Sequence, residues 1–168
     1  QTKPFAPTHP WDRNFFLVMA MLVWFAIVSG FTNDIIKLKA EGRLDFPLIT
    51  HIHGAVFVGW LVLFTTQIIL IRRKNYSLHK KMGIAGAILA TIMVILGVMT
   101  AINSEKVKFG TEFSDPAFLS VMLGDMLLFG TLVTAGIYQR KSSSSHKRLM
   151  LIATIVLTDA GFGRWLNN

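Results

Sequence analysis

Five stretches of the chain are almost free of charge and long enough to cross a membrane. They cover residues 15–31, 50–71, 82–102, 117–138 and 149–166. A membrane-spanning helix needs about 20 mostly apolar residues, because every backbone amide in the hydrocarbon must bond within its own segment. Five such runs would leave a soluble protein almost no polar face. The pattern therefore predicts one all-α membrane domain, a bundle of five transmembrane helices in the lipid bilayer.

The segments between the runs are short. Residues 35–46 are typical of a short interfacial helix, and residues 107–116 of an outer loop with a turn at Asp115 and Pro116. Residues 1–13 hold three prolines and no signal-peptide pattern, and we expect them to form a terminal arm.

Composition narrows the class of protein. The chain has 168 residues, of which 52% are apolar and 15% charged, whereas soluble domains carry about 25% charged residues. These values exclude a disordered chain, a basic nucleic-acid-binding domain and a disulfide scaffold. The chain has no Cys, which excludes thiolate chemistry and iron–sulfur ligation.

The formal net charge of +8 is divided unevenly between two sets of connections. The N-terminal arm and the second and fourth connections carry eleven cations against a single acid, Asp12, whereas acids outnumber cations by six to five in the other connections. Short cytoplasmic loops are rich in Lys and Arg. We therefore expect residues 1–13 to be cytoplasmic and the protein to be a multi-pass membrane protein.

Two histidines are expected at one depth, close to the basic side. His79 follows Ser77 and His146 follows Ser145, and each serine is a candidate N-cap, so both imidazoles fall in the first turn of a helix. A helix N-terminus disfavours the imidazolium, and the neutral imidazole is the form that binds a metal or haem iron. An interfacial histidine is ordinarily a solvated side chain. Two at one level on adjacent helices favour a shared ligand.

A second polar set lies in the opposite half of the predicted bundle. Its ionisable members are Asp125, Asp159 and Arg164, and charged groups inside a membrane need partners, so Arg164 is the expected counter-ion of the acids. Alternatives are a propionate anchor at Arg164, a proton relay through the acids, or a metal site formed by His53, Asp125 and Asp159. The neighbouring His51 points about 200° away from His53 on a helix. Gln67 is expected to form an interhelical hydrogen bond.

Three segments carry a resemblance to known proteins. The segments HIHGAVFVGWLVLFTTQ (residues 51–67), SLHKKMG (77–83) and HKRLM (146–150), followed by Arg164, are similar to a group of uncharacterised predicted bacterial membrane proteins. More distantly, the layout resembles the cytochrome b-561 type of electron-transfer bundle. In that type four core helices carry two b haems, one at each membrane face, held by histidines from alternate helices.

The resemblance implies haem-binding roles for particular residues. His79 and His146 match the pair of ligands at one face, and His53 matches one ligand at the other. The fourth helix has no His, only Met122, Asp125 and Met126 near the required level, which limits the analogy to one haem b near the cytoplasmic face.

The favoured hypothesis is a membrane-bound b-type haem protein that carries electrons and makes no bonds, with a quinone or other membrane subunits as partners. The main alternative is a non-catalytic accessory or assembly subunit of a larger membrane complex. A third hypothesis is a metal-handling or transport protein that uses His53, Asp125 and Asp159.

Overall fold

The structure, a computed structural model, describes residues 11–42, 45–111 and 114–166. This part of the chain is all-α. Its six helices are α1 (Asp12–Ala40), α2 (Leu48–Arg72), α3 (Tyr76–Lys108), α4 (Pro116–Tyr138), α5 (Ser143–Val156) and α6 (Asp159–Leu166). Most of the predicted arm, residues 1–13, lies outside the described residues.

Helices α1 to α4 are each long and apolar enough to cross a membrane. In the most apolar stretch of each helix, at most 33% of the residues are buried inside the bundle. Large apolar side chains therefore cover much of the outer surface, among them Phe25, Ile84 and Leu127.

Two of the predicted helices extend further in the structure. α1 continues without interruption to Ala40, so the separate interfacial helix predicted over residues 35–46 is wrong. α3 begins six residues before the predicted run and ends six residues after it. The additional turns mix apolar residues such as Ile35 and Ile36 with charged ones, so they lie outside the uninterrupted apolar runs.

The fifth apolar run, predicted as one helix over residues 149–166, is divided into α5 and α6. The backbone tightens at Thr158, whose amide donates to the Ile155 carbonyl three residues back at 2.8 Å. The Thr158 hydroxyl donates to the same carbonyl at 2.6 Å. Thr158 and Asp159 are weak helix formers, and Gly161 and Gly163 are weaker still. An interruption of the regular helix in this segment therefore costs little free energy.

The helices form a closed ring. α2 packs on α3, α3 on α4 and α4 on α5, and α1 closes the ring between α2 on one side and α5 and α6 on the other. The core inside the ring contains Trp60, Phe129, Met93 and Thr154, all nearly inaccessible to solvent. Trp60 and Phe129 meet edge to face with ring centroids 5.1 Å apart. The Trp60 indole Nε1 donates to Thr154 Oγ1 at 3.3 Å, which joins α2 to α5.

The broken pair α5–α6 runs parallel to α1. Lys147 Nζ lies 5.7 Å from the centre of the Phe16 ring near the start of both helices. Gly161 packs against α1 further along, and Arg164 bonds to Asp34 near its end. From Phe16 to Asp34 a helix rises about 27 Å. α5 and α6 therefore accompany α1 over almost the full thickness of a bilayer core, which is about 30 Å.

Candidate functional site

Two helices begin at one end of the bundle, each after a polar N-cap residue. We call this the basic end, defined by the start of α1 and by the connections at residues 73–75 and 139–142. α3 follows Asn75, whose side-chain oxygen accepts from the Leu78 amide, and α5 follows Ser142. The predicted N-caps, Ser77 and Ser145, are wrong, because both lie inside the helices.

The corrected caps place the two histidines in equivalent positions. The His79 amide donates to the Asn75 carbonyl at 3.1 Å, and the His146 amide donates to the Ser142 carbonyl at 2.9 Å. Each histidine is therefore four residues after its N-cap. Both side chains are half-buried.

The two imidazoles lie next to each other. Their ring centroids are 6.3 Å apart and their planes are nearly perpendicular, at 87°. α3 packs mainly on α2 and α4, and α5 packs mainly on α4. His79 and His146 thus come from helices on opposite sides of α4 and meet across the basic end of the ring.

The spacing of the rings fits a metal between them. A metal lies about 2 Å from an imidazole nitrogen, and that nitrogen is about 1 Å from its own ring centre, so two imidazoles on opposite sides of one metal have centroids about 6 Å apart. The neutral imidazole provides one nitrogen lone pair for such a bond. The separation of the two ring centroids is therefore the one expected for two imidazoles that bind one metal.

His146 has a fixed orientation. Its Nδ1 donates to the backbone carbonyl of Gly136 on α4, at 2.8 Å. This bond places the ring proton on Nδ1 and leaves Nε2 as the nitrogen with a free lone pair. A bond of this kind is the usual support of a metal-binding histidine. Nothing in the sequence pattern indicated the role of Gly136, because every residue carries a backbone carbonyl.

His79 is held through its backbone. Gln67 Nε2 on α2 donates to the His79 carbonyl at 3.2 Å, which confirms the interhelical hydrogen bond predicted for Gln67. The His79 ring is different, because its Nδ1 is buried and has no hydrogen-bond partner.

Cationic residues follow each histidine in the chain. Lys80 follows His79 and is exposed, and Lys147 and Arg148 follow His146 and are half-buried. The Arg148 guanidinium donates to the carbonyl of Ser144, at 3.2 Å, and to its hydroxyl. These three residues add positive charge to the basic end.

The second predicted set lies in the other half of the bundle, beyond the Trp60 and Phe129 core. Arg164 Nε donates to Asp34 Oδ2 at 2.9 Å, and the guanidinium carbon lies 4.1 Å from the centre of the Phe31 ring. Asp34 was assigned to a connection in the charge pattern, because the predicted helix ended at residue 31. The longer α1 keeps Asp34 on a helical face turned toward α6.

The other members of this set are less closely connected. His53 is half-buried with an unpartnered buried Nδ1, and its ring lies 6.3 Å from that of Phe57. Asp125 is half-buried and Asp159 is exposed. Within the described part of the chain, no three His, Asp or Glu side chains form a group that could hold a metal ion.

No family model, curated protein or solved structure matches the chain. The resemblance to bacterial membrane proteins and to the cytochrome b-561 type therefore stays a prediction.

Proposed function

We propose that this protein is a b-type haem protein of a membrane and carries electrons, with His79 and His146 as the axial ligands of one haem at the basic end. The observation that carries this proposal is the 6.3 Å separation of the two ring centroids. The hydrogen bond from His146 Nδ1 to the Gly136 carbonyl gives further support, since it leaves Nε2 as the nitrogen with a free lone pair.

The number of ligands favours haem over a bare metal ion. A haem iron receives four nitrogens from the macrocycle and needs one or two ligands from the protein. A structural zinc site instead takes four ligands from protein side chains. Two imidazoles complete the coordination of a haem. The haem supplies one-electron chemistry when bound, and the protein contributes ligation, burial and surrounding charge.

The basic residues have a defined role in this proposal. Lys80, Lys147 and Arg148 adjoin the two ligands in sequence, and a haem carries two propionates. Pairing between these groups would orient the macrocycle at the membrane surface, because charge-assisted hydrogen bonds to carboxylates are short and strong. Arg164 belongs to the other half of the bundle and takes no part in holding this haem.

The membrane assignment is part of the proposal. The apolar outer surfaces of α1 to α4 suit contact with lipid, and the parallel course of α5–α6 beside α1 supports a fifth pass made by two short helices. Broken helices occur in membrane proteins where neighbouring helices cover the irregular backbone. The positive-inside rule then places the basic end, and with it the haem, on the cytoplasmic side. A bacterial inner membrane is the expected location.

Absorption spectroscopy tests the proposal. Protein purified in mild detergent from haem-replete cells should show a Soret band, and His79→Ala and His146→Ala should each lose most of it. His51→Ala is the matched control, because His51 is exposed and bonds only locally, to the Pro47 carbonyl at 3.3 Å. Colourless wild-type protein would overturn the proposal. Co-purification of a defined membrane partner with colourless protein would point to the accessory-subunit hypothesis.

A further inference from the structure

Gln67 lies between α2 and the first turn of α3, where it contacts the residue that carries one imidazole of the pair. Its side chain is half-buried, and its amide nitrogen donates to the carbonyl of His79 at 3.2 Å. The hydrogen bond uses only one end of the Gln67 amide. The other end, Oε1, is a hydrogen-bond acceptor.

The two residues in this contact each carry an unsatisfied polar atom. Gln67 Oε1 is buried without a hydrogen-bond partner, and so is His79 Nδ1. Buried polar atoms are nearly always hydrogen-bonded, because an unmade bond costs the full desolvation of the group. The Gln67 oxygen can only accept a hydrogen bond, and His79 Nδ1 can donate one when it carries the ring proton. The two atoms are complementary.

The other histidine of the pair already has the arrangement that His79 lacks. His146 donates from Nδ1 to the Gly136 carbonyl at 2.8 Å, which leaves Nε2 available to a metal. Metal-binding histidines almost always donate their second ring N–H to an oxygen of the protein. If His79 acts in the same way, Gln67 is a candidate acceptor, because it already contacts the His79 backbone and has an unused buried oxygen.

We propose that Gln67 is a positioning residue for the haem, and this inference rests on the proposed function. In the haem-bound protein its Oε1 would accept the Nδ1–H of His79 and leave Nε2 of His79 for the iron. The bond requires rotation of the Gln67 amide and the His79 ring from their present arrangement, in which the amide donates to the His79 carbonyl. It fixes the ring orientation and makes the imidazole a stronger donor to the iron. The two ligands would then be supported by different groups, a backbone carbonyl for His146 and a side-chain amide for His79.

The experiment compares variants of Gln67 with variants of Thr66 in the haem-loaded protein. Gln67→Leu removes both ends of the amide, whereas Gln67→Glu keeps an acceptor and loses the donor to the His79 carbonyl. Thr66 lies on the same turn of α2, and its hydroxyl donates only to the Val62 carbonyl of its own helix, at 2.8 Å. Thr66→Val is the control for a lost polar group. Thr66→Glu is the control for added negative charge.

Two quantities are measured, the rate of haem loss to an excess of an acceptor apoprotein and the midpoint potential. We expect Gln67→Leu to weaken haem binding by about ten- to a hundredfold, the usual effect of losing such a partner, and to raise the midpoint potential. Gln67→Glu should retain haem and should lower the potential by more than Thr66→Glu does. Thr66→Val should match the wild type in both quantities.

Other outcomes overturn the inference. If the wild type binds haem through His79 and His146, but Gln67→Leu leaves haem loss and potential unchanged, Gln67 does not position the ligand. If Gln67→Glu loses haem as fast as Gln67→Leu, the important bond is the one to the His79 backbone. If Gln67→Leu does not accumulate, Gln67→Glu decides alone, and a potential equal to that of Thr66→Glu contradicts the inference. Absence of haem from the wild type would contradict the proposed function itself.

Discussion

The crossing of α1 and α6 allows a sharp test of the packing. Gly161 of α6 lies directly against the backbone of α1. A Cβ atom added there would be 2.6 Å from the Ala26 carbonyl oxygen and 3.2 Å from the Ile27 Cα. Both neighbours are main-chain atoms of a long helix, so neither moves aside by a side-chain rotation. Gly163 follows two residues later on the same helix. It has nothing within 4 Å of its added Cβ and is the matched control.

The expected energies follow from two opposing effects. Replacing Gly by Ala inside a helix favours the helix by about 1 kcal/mol at either position. Overpacking costs about 1–3 kcal/mol, and contact with backbone places Gly161 at the upper limit. Gly163→Ala should therefore raise the free energy of unfolding by up to about 1 kcal/mol. Gly161→Ala should lower it by about 2 kcal/mol.

The assay is reversible unfolding in mixed micelles with increasing SDS, followed by tryptophan fluorescence. The difference between the two variants matters more than either value, because detergent and helix propensity affect both equally. We expect Gly161→Ala to be about 3 kcal/mol less stable than Gly163→Ala. Equal stability of the two variants within about 0.5 kcal/mol, the usual range for a substitution that touches nothing, would refute the close approach of α6 to α1.

Three further predictions concern the core, a turn and the orientation. Phe129→Ala should lower the unfolding free energy by about 3 kcal/mol or more, because Phe129 is fully buried. Trp60→Phe loses one hydrogen bond and keeps a ring, so it should lower that free energy by about 1 kcal/mol. Equal losses in the same SDS titration would contradict this ranking. Lys74→Gly should stabilise the protein by about 1 kcal/mol, since Lys74 has a φ of 58°, and an unchanged midpoint would argue against that strain. The chain has no Cys, so single introduced cysteines can be labelled with an impermeant maleimide. Asp45→Cys should react in intact cells, and Ser143→Cys should react only after permeabilisation. The opposite pattern would reverse the orientation.

The sequence predicted helices well where apolar runs end at charge or Pro. The predicted run 50–71 corresponds to α2, and the run 117–138 corresponds to α4, each within two residues of the observed helix. The ends of α1 and α3 were missed, because those turns mix apolar and charged residues and lie outside the uninterrupted apolar runs. The break before α6 coincides with the weak helix formers Thr158 and Asp159. The close packing of Gly161 on α1 is a tertiary contact and leaves no local signal.

The pairing of the two histidines was predictable from the sequence, and the groups that contact them were not. The equal depth of His79 and His146 follows from their spacing to the polar turns that precede α3 and α5. Their meeting across the bundle required the order of the helices around the ring. The carbonyl of Gly136 has no counterpart in residue type, and the pairing of Arg164 with Asp34 depended on where α1 ends.

The position of α1 in the ring has a consequence for biosynthesis. α1 is synthesised before α2 to α5, yet most of its contacts with the other described helices are with α6, which is synthesised after them. α1 therefore has only its smaller contact to α2 until α5 and α6 have been made. The ring closes only when α6 reaches α1. A chain that stops before Asp159 lacks the principal partner of α1, so α2 to α5 can pack in it while α1 is held loosely.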